Sequence, residues 1–151
     1  MKLKVILILF CVLTFQKIIA QEFYIDNRLF DVYTLQYIEE LKSKNIDQLL
    51  YLNYFLDHGW YIDKLPKEKL TTIQSLKLLI NTDIHSETEL SEILSDSNRY
   101  KEFNILKYQI IRNAKGNTVY KINDDGLVLI IYGNDQLMQA FNSYRNKFIE
   151  K

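Results

Sequence analysis

The run Leu127-Val128-Leu129-Ile130-Ile131-Tyr132 constrains the fold of this chain more than any other stretch. Its β-branched and aromatic content suits a strand, and a strand sends alternate side chains to opposite faces. Because every position is apolar, neither face can be left in water, so the strand is expected inside a sheet covered on both sides. It follows Asp124-Asp125-Gly126, a hairpin turn with glycine where positive φ is needed, and before that turn comes a second β-rich stretch, Thr118 to Asn123. A third, Asn104 to Arg112, precedes Ala114-Lys115-Gly116. There Leu106, Tyr108 and Ile110 alternate with Lys107 and Gln109, which implies one wet face. These three segments predict a three-stranded antiparallel β-meander.

Helical periodicity dominates the rest. Gln21 to Phe30 shows no long period and is expected to be a partly ordered lead-in. Asp31 can cap a helix with Val32, Leu35, Ile38 and Leu41 on one face. Asn45 and Gln48 form a capping-box pair for a second helix running to His58, with Gly59 as a left-handed cap. Its Leu49, Leu50, Tyr51, Leu52, Tyr54, Phe55 and Leu56 form too wide an apolar surface for a single stripe, which places it at the buried centre of the helical part. After an extended Trp60 to Leu65, Pro66 opens a predicted third helix through Ile80, with Leu70, Ile73, Leu76 and Ile80 in register. Ser86 and Glu89 cap a fourth carrying Leu90, Ile93 and Leu94. Asn134 caps a last helix whose Leu137, Phe141, Tyr144 and Phe148 are expected to pack on the meander. The predicted fold is α+β: four short N-terminal helices, the meander, and a C-terminal helix on the sheet.

The first twenty residues have a different character. Lys2 and Lys4 precede an apolar run, Val5 to Phe15, broken only by Thr14, and Ile18-Ile19-Ala20 ends in a small residue before Gln21. This is the layout of a secretory signal with cleavage after Ala20. The run is about half of the roughly 20 residues a bilayer-spanning helix requires, and Gln16-Lys17 interrupts it. Cys11 follows bulky Phe10 inside the run, so a lipoprotein anchor is not expected, and no transmembrane segment is expected after signal cleavage.

Cleavage leaves residues 21–151 as a single globular α+β domain with no cysteine, and hence neither disulfides nor thiolate chemistry. Losing Lys2, Lys4 and Lys17 leaves sixteen basic against nineteen acidic side chains, a net charge of −3. No basic excess then remains to neutralise phosphates, which argues against nucleic-acid binding. There is no Asn-x-Ser/Thr acceptor. Fifteen lysines against four arginines, three alanines and eleven tyrosines resemble the usage of low-GC bacteria, so a periplasmic or secreted bacterial location is expected.

Searches for chemistry give few candidates. Asn123, Asp125 and Gly126 match three positions of a calcium loop, but Lys121 and Tyr132 would stand at its first and twelfth positions, where oxygen anions must coordinate. The hairpin turn is preferred. His58 and His85 are the only imidazoles, too few for a three-histidine zinc site, and neither lies in a recognisable triad signature. With four glycines and no phosphate loop, no nucleotide cofactor is expected. The acidic pairs Glu39/Glu40, Glu87/Glu89 and Asp124/Asp125 suit helix surfaces and turns better than a glycosidase pair.

The densest mixture of polar, aromatic and small residues is Asp57-His58-Gly59-Trp60-Tyr61. Asp57, His58, Trp60, Tyr61 and His85 are therefore the candidate ligand or partner contacts, although core packing is the favoured role of Trp60. No catalytic, cofactor or metal residue is assigned. The expected function is a non-catalytic envelope or secreted module that binds a protein or glycan. The alternatives are a small hydrolase using Asp57, His58 and His85, or a periplasmic inhibitor or immunity-type protein.

Overall fold

The structure, a computed structural model, describes residues 24–78 and 86–149. In chain order its regular elements are α1 (Leu35–Lys44), α2 (Ile46–His58), β1 (Trp60–Lys64), β2 (Lys77–Leu78), α3 (Glu87–Ser95), β3 (Tyr108–Gln109), β4 (Thr118–Lys121), β5 (Leu127–Ile131) and α4 (Asn134–Ile149), with short 3-10 turns between them. Helices and an antiparallel sheet make this a mixed α+β fold. The expected signal, the mature N-terminus at Gln21, Ile80 and His85 lie outside the described residues.

The helix caps follow local chemistry. Asn45 Oδ1 accepts from the Gln48 amide at 3.3 Å while its Nδ2 donates to Gln48 Oε1 at 3.0 Å, and Ser86 Oγ accepts from the Glu89 amide at 3.1 Å. α1 begins three residues later than Asp31 would place it. Thr34 is the cap, its hydroxyl accepting from the Tyr37 amide, and Asp31 is occupied by an ion pair with Lys107 at 3.3 Å. Leu35 consequently faces solvent, and Ile38 and Leu41 carry the buried stripe. Gly59 is not left-handed. Its φ is −80°, and glycine is needed for space, because a Cβ would overlap the Phe55 ring and stand 2.8 Å from the Phe55 carbonyl oxygen.

The sheet departs from the expected meander. Its order is β1-β5-β4, so β5 pairs antiparallel with the hairpin partner β4 on one edge and with β1 on the other, Trp60 facing Ile131 and Ile62 facing Leu129. The segment 104–112 forms only the two-residue β3, paired with β2. Asn104 is the reason. Its side chain accepts from the Leu106 amide at 3.1 Å, capping a 3-10 turn over Ile105–Lys107, and donates to the Arg28 carbonyl at 2.6 Å, so the chain curls where an extended strand was expected. The turn at Ala114–Gly116 links β3 to β4 without pairing them, although Gly116 does take a positive φ of 82°. The Asp124–Gly126 turn does join a hairpin, with Gly126 at φ 101° and Asn123 Oδ1 accepting from the Asp125 and Leu127 amides.

Pro66 does not open a long helix. Residues Lys67–Thr72 form a 3-10 turn, Ile73 is extended, and Ser75 bridges to Lys121 before β2. The double coverage of β5 explains this. Leu129 and Ile131 join the main core, whereas Val128 and Ile130 pack with Leu70, Ile73 and Tyr61 on the opposite face. Leu76 belongs to the main core, so residues that share a helical stripe in sequence serve two different cores. Val128, Leu129, Ile130 and Ile131 are all buried, each stabilising by about 1.5–3 kcal/mol relative to exposure.

α4 begins beside Gly133, whose carbonyl accepts from the Leu137 amide, rather than on an Asn134 cap. Its stripe meets α2 as well as the core. Leu137 joins the main cluster, while Phe141 is buried edge-on to Tyr51 with ring centres 5.2 Å apart and lies 5.7 Å from Tyr54. Arg145 adds an ion pair to Asp47 at 3.0 Å.

Candidate functional site

The last turn of α2 places Asp57 and His58 on the surface. Tyr54, one turn earlier, lies under His58 with ring centres 4.8 Å apart, and Tyr144 of α4 approaches the Tyr54 ring at 5.0 Å and the His58 ring at 6.5 Å. The ladder then supplies a second wall. The Tyr132 amide donates to the Gly59 carbonyl at 3.1 Å, which brings Tyr132 and the first turn of α4 beside the end of α2. The result is an open hollow of about 370 Å³ whose lining includes Tyr54, Asp57, His58, Trp60, Tyr132 and Gln136. A smaller hollow of about 110 Å³ lies across the Tyr54–His58 ridge, toward Tyr24, Asn53 and Tyr144.

Electrostatics fix one side of this ridge. Arg28 pairs with Asp57 and with Asp26 at 2.7 Å, and donates to the Phe103 carbonyl at 3.2 Å. Burial alone would lower the Arg28 pKa, but the hydrogen bonds it donates to both carboxylates reverse the direction and hold the guanidinium charged. The same Arg28 hydrogen bond outweighs burial at Asp26 and keeps its carboxyl below the ordinary value of 3.8. Burial, followed by the neighbouring Tyr132 and Tyr144, pushes the Tyr54 phenol up, and burial followed by Asp57 does so for Tyr100. Both remain neutral hydroxyls at physiological pH.

Trp60 is almost wholly buried. Its Nε1 donates to the Leu56 carbonyl at 2.8 Å and its ring packs against Tyr100 and Phe103, so little of it is open to the hollow. Tyr61 is separated from the others by strand alternation. It points to the second core, although its ring approaches Tyr132 at 5.2 Å, and it does not line the hollow. His85 lies outside the described residues. Tyr54, Tyr132 and Gln136 are polar or aromatic contributors that the sequence did not single out. Tyr54 could have been found from its i−4 spacing to His58, but the other two arrive only through the pairing of β5 with β1.

Among the described residues no three His, Cys, Asp or Glu side chains gather as metal ligands, and no helix is long and apolar enough to cross a membrane. Asp57 turns to Arg28 rather than to His58, whose ring faces tyrosines. The hollow therefore offers a carboxylate acceptor, an imidazole, a carboxamide and phenol hydroxyls around aromatic faces. Comparison with known proteins finds no family model, no curated protein and no solved structure that matches the chain.

Proposed function

We propose that this protein is a non-catalytic binding module, exported to a bacterial envelope or its surroundings, that holds a glycan in the hollow at the end of α2. The observation that carries this proposal is the convergence of Tyr54 and Tyr132 with Asp57, His58 and Gln136 around one open concavity. A sugar presents hydroxyls that both donate and accept, which suits a carboxylate, an amide and phenols. Its C–H faces suit tyrosine rings. The position of Asp57 on Arg28, away from His58, favours binding over hydrolysis, since a base must lie within hydrogen-bond reach of what it activates.

The test is a titration of isotopically labelled protein with a panel of neutral and amino-sugar oligosaccharides, followed by backbone and Gln136 side-chain resonances. The expected result is saturable shifts at Tyr54, Asp57, His58 and Gln136, with affinity falling at least about tenfold in Tyr54→Ala and Gln136→Ala. Shifts elsewhere only, or cleavage of the oligosaccharides, would overturn the proposal. The export component is tested separately by intact mass of the secreted protein, which is expected to begin at Gln21.

A further inference from the structure

Another concavity, of about 400 Å³, lies between the middle of α2 and the segment that runs from Leu106 to Arg112. Most of its lining is apolar or aromatic, with Leu52 and Phe55 from α2, Leu106 and Ile110 from the facing segment, and Tyr33, while Gln109 adds a carboxamide. At one end stands Arg112, whose guanidinium carbon sits 5.0 Å from the Phe55 ring centre and 5.8 Å from that of Tyr51, while its Nη1 donates to the Tyr51 hydroxyl. The aromatic rings and the phenol hold the guanidinium in one place.

Among the described residues Arg112 differs from the other arginines in having no carboxylate partner. Arg28 pairs with Asp26 and Asp57, Arg99 with Glu92 and Glu102, and Arg145 with Asp47. Among the described residues no carboxylate lies within ion-pair distance of Arg112. A guanidinium has five donors in a planar fork, and the bond to the Tyr51 hydroxyl uses one of them, which leaves others for a ligand. The volume falls in the range of small-molecule sites, which are mostly apolar with a few placed polar groups.

We propose that this concavity binds a carboxylate carried on an apolar body, the carboxylate forked by Arg112 and the apolar part seated between α2 and the 106–110 wall. Charge and shape select the same ligand. Phosphate or sulfate would satisfy the guanidinium but leave the apolar walls wet, and a neutral hydrocarbon would fill the walls but leave the guanidinium without an anion. Tyr108, at the same wall, is kept protonated well above physiological pH, first by burial and then by the charge of Glu89, with its pKa raised to about 12, so its phenol offers the guanidinium no charge. A free aromatic acid and the C-terminus of a peptide ending in an apolar residue present the same chemistry.

The experiment uses 3-phenylpropionate, its carboxamide, an acetylated dipeptide ending in phenylalanine, and that dipeptide's C-terminal amide, each titrated into labelled protein. The Arg112 Nε–Hε resonance of the unaltered protein is expected to shift with both acids, and each amide is expected to bind at least about tenfold more weakly. Arg112→Gln is expected to cost at least about tenfold, and Arg112→Lys most of that, because an ammonium lacks the fork. Tighter binding of the dipeptide than of phenylpropionate assigns the site to chain termini, and the reverse or equal binding assigns it to free acids. Equal binding of acid and amide, an unmoved Arg112 resonance, or undiminished binding in a folded Arg112→Gln would overturn the proposal. The resonance test on the unaltered protein stands even if a variant fails to fold.

Discussion

Replacing Gly133 by alanine isolates the effect of space from that of backbone conformation. Gly133 does not have positive φ, so alanine meets no dihedral penalty there. Its Cβ would instead stand 2.7 Å from the carbonyl oxygen and 2.9 Å from the nitrogen of Gly116, and ordinary contact begins near 3.4 Å. Two backbones must therefore separate by roughly 0.7 Å, and neither is a side chain that can swing away. The same junction holds the start of α4, where Asn134 and Asp135 donate to the Asn113 and Ala114 carbonyls at 2.9 and 3.1 Å. Overpacking of this kind costs about 1–3 kcal/mol, and restriction of the unfolded chain by alanine returns about 0.4–1 kcal/mol. A net loss of about 1.5 kcal/mol follows, which at a urea m-value of about 1.5 kcal/mol/M lowers the midpoint by about 1 M. Hydrogen exchange at the Asn134 and Asp135 amides should accelerate. Gly116→Ala is the contrasting variant. No atom lies within 4 Å of its Cβ position, so its cost of about 1–2 kcal/mol arises from φ 82° alone and should leave those amides protected. A neutral or stabilising Gly133→Ala, or unchanged exchange at Asn134 and Asp135, would refute the reasoning.

Phe141→Ala should cost about 3–5 kcal/mol in urea unfolding, because the ring is buried between Tyr51 and Tyr54, and a loss below about 1 kcal/mol would show that α4 docks without it. Asn104→Ala strands the Arg28 carbonyl and the Leu106 amide and is expected to cost about 1–3 kcal/mol, whereas a neutral result would mean water replaces both bonds. The lowered pKa of Asp26 means that its stabilising contribution is complete above the ordinary value of 3.8 and disappears as pH falls through the lower folded value. The stability gap between the protein and Asp26→Asn should therefore narrow below pH 3.8, and a gap independent of pH would contradict it. Trp60, the single tryptophan, should emit at short wavelength and resist iodide quenching, and ready quenching would place it on the surface.

Much of the fold's local grammar is legible in the sequence, because the forces concerned act within a few residues. Asn45 with Gln48 and Ser86 with Glu89 cap helices through groups three positions apart, and Gly126 takes its positive φ within one hairpin turn. The apolar pattern of residues 127–132 dictates two covered faces, whatever covers them. The candidate site was legible to the same extent: Asp57 and His58 are consecutive at a helix end and so reach the surface together.

Tertiary structure alone decided the partners. β5 needed a neighbour on its second edge, and periodicity offered 104–112 as readily as Trp60–Lys64. The choice depended on Asn104, which binds the backbone of Arg28 far along the chain, and on a register that sets Trp60 against Ile131. Leu70, Ile73 and Leu76 have helical spacing, yet covering both faces of β5 gives more burial than one helix stripe could, so the two cores divide them. That pairing carried Tyr132 and Gln136 to His58, and strand alternation turned Tyr61 away to the other core. A sequence encodes such contacts only as the sum of many weak, distant preferences, and the winning arrangement emerges when the burial of whole elements is compared.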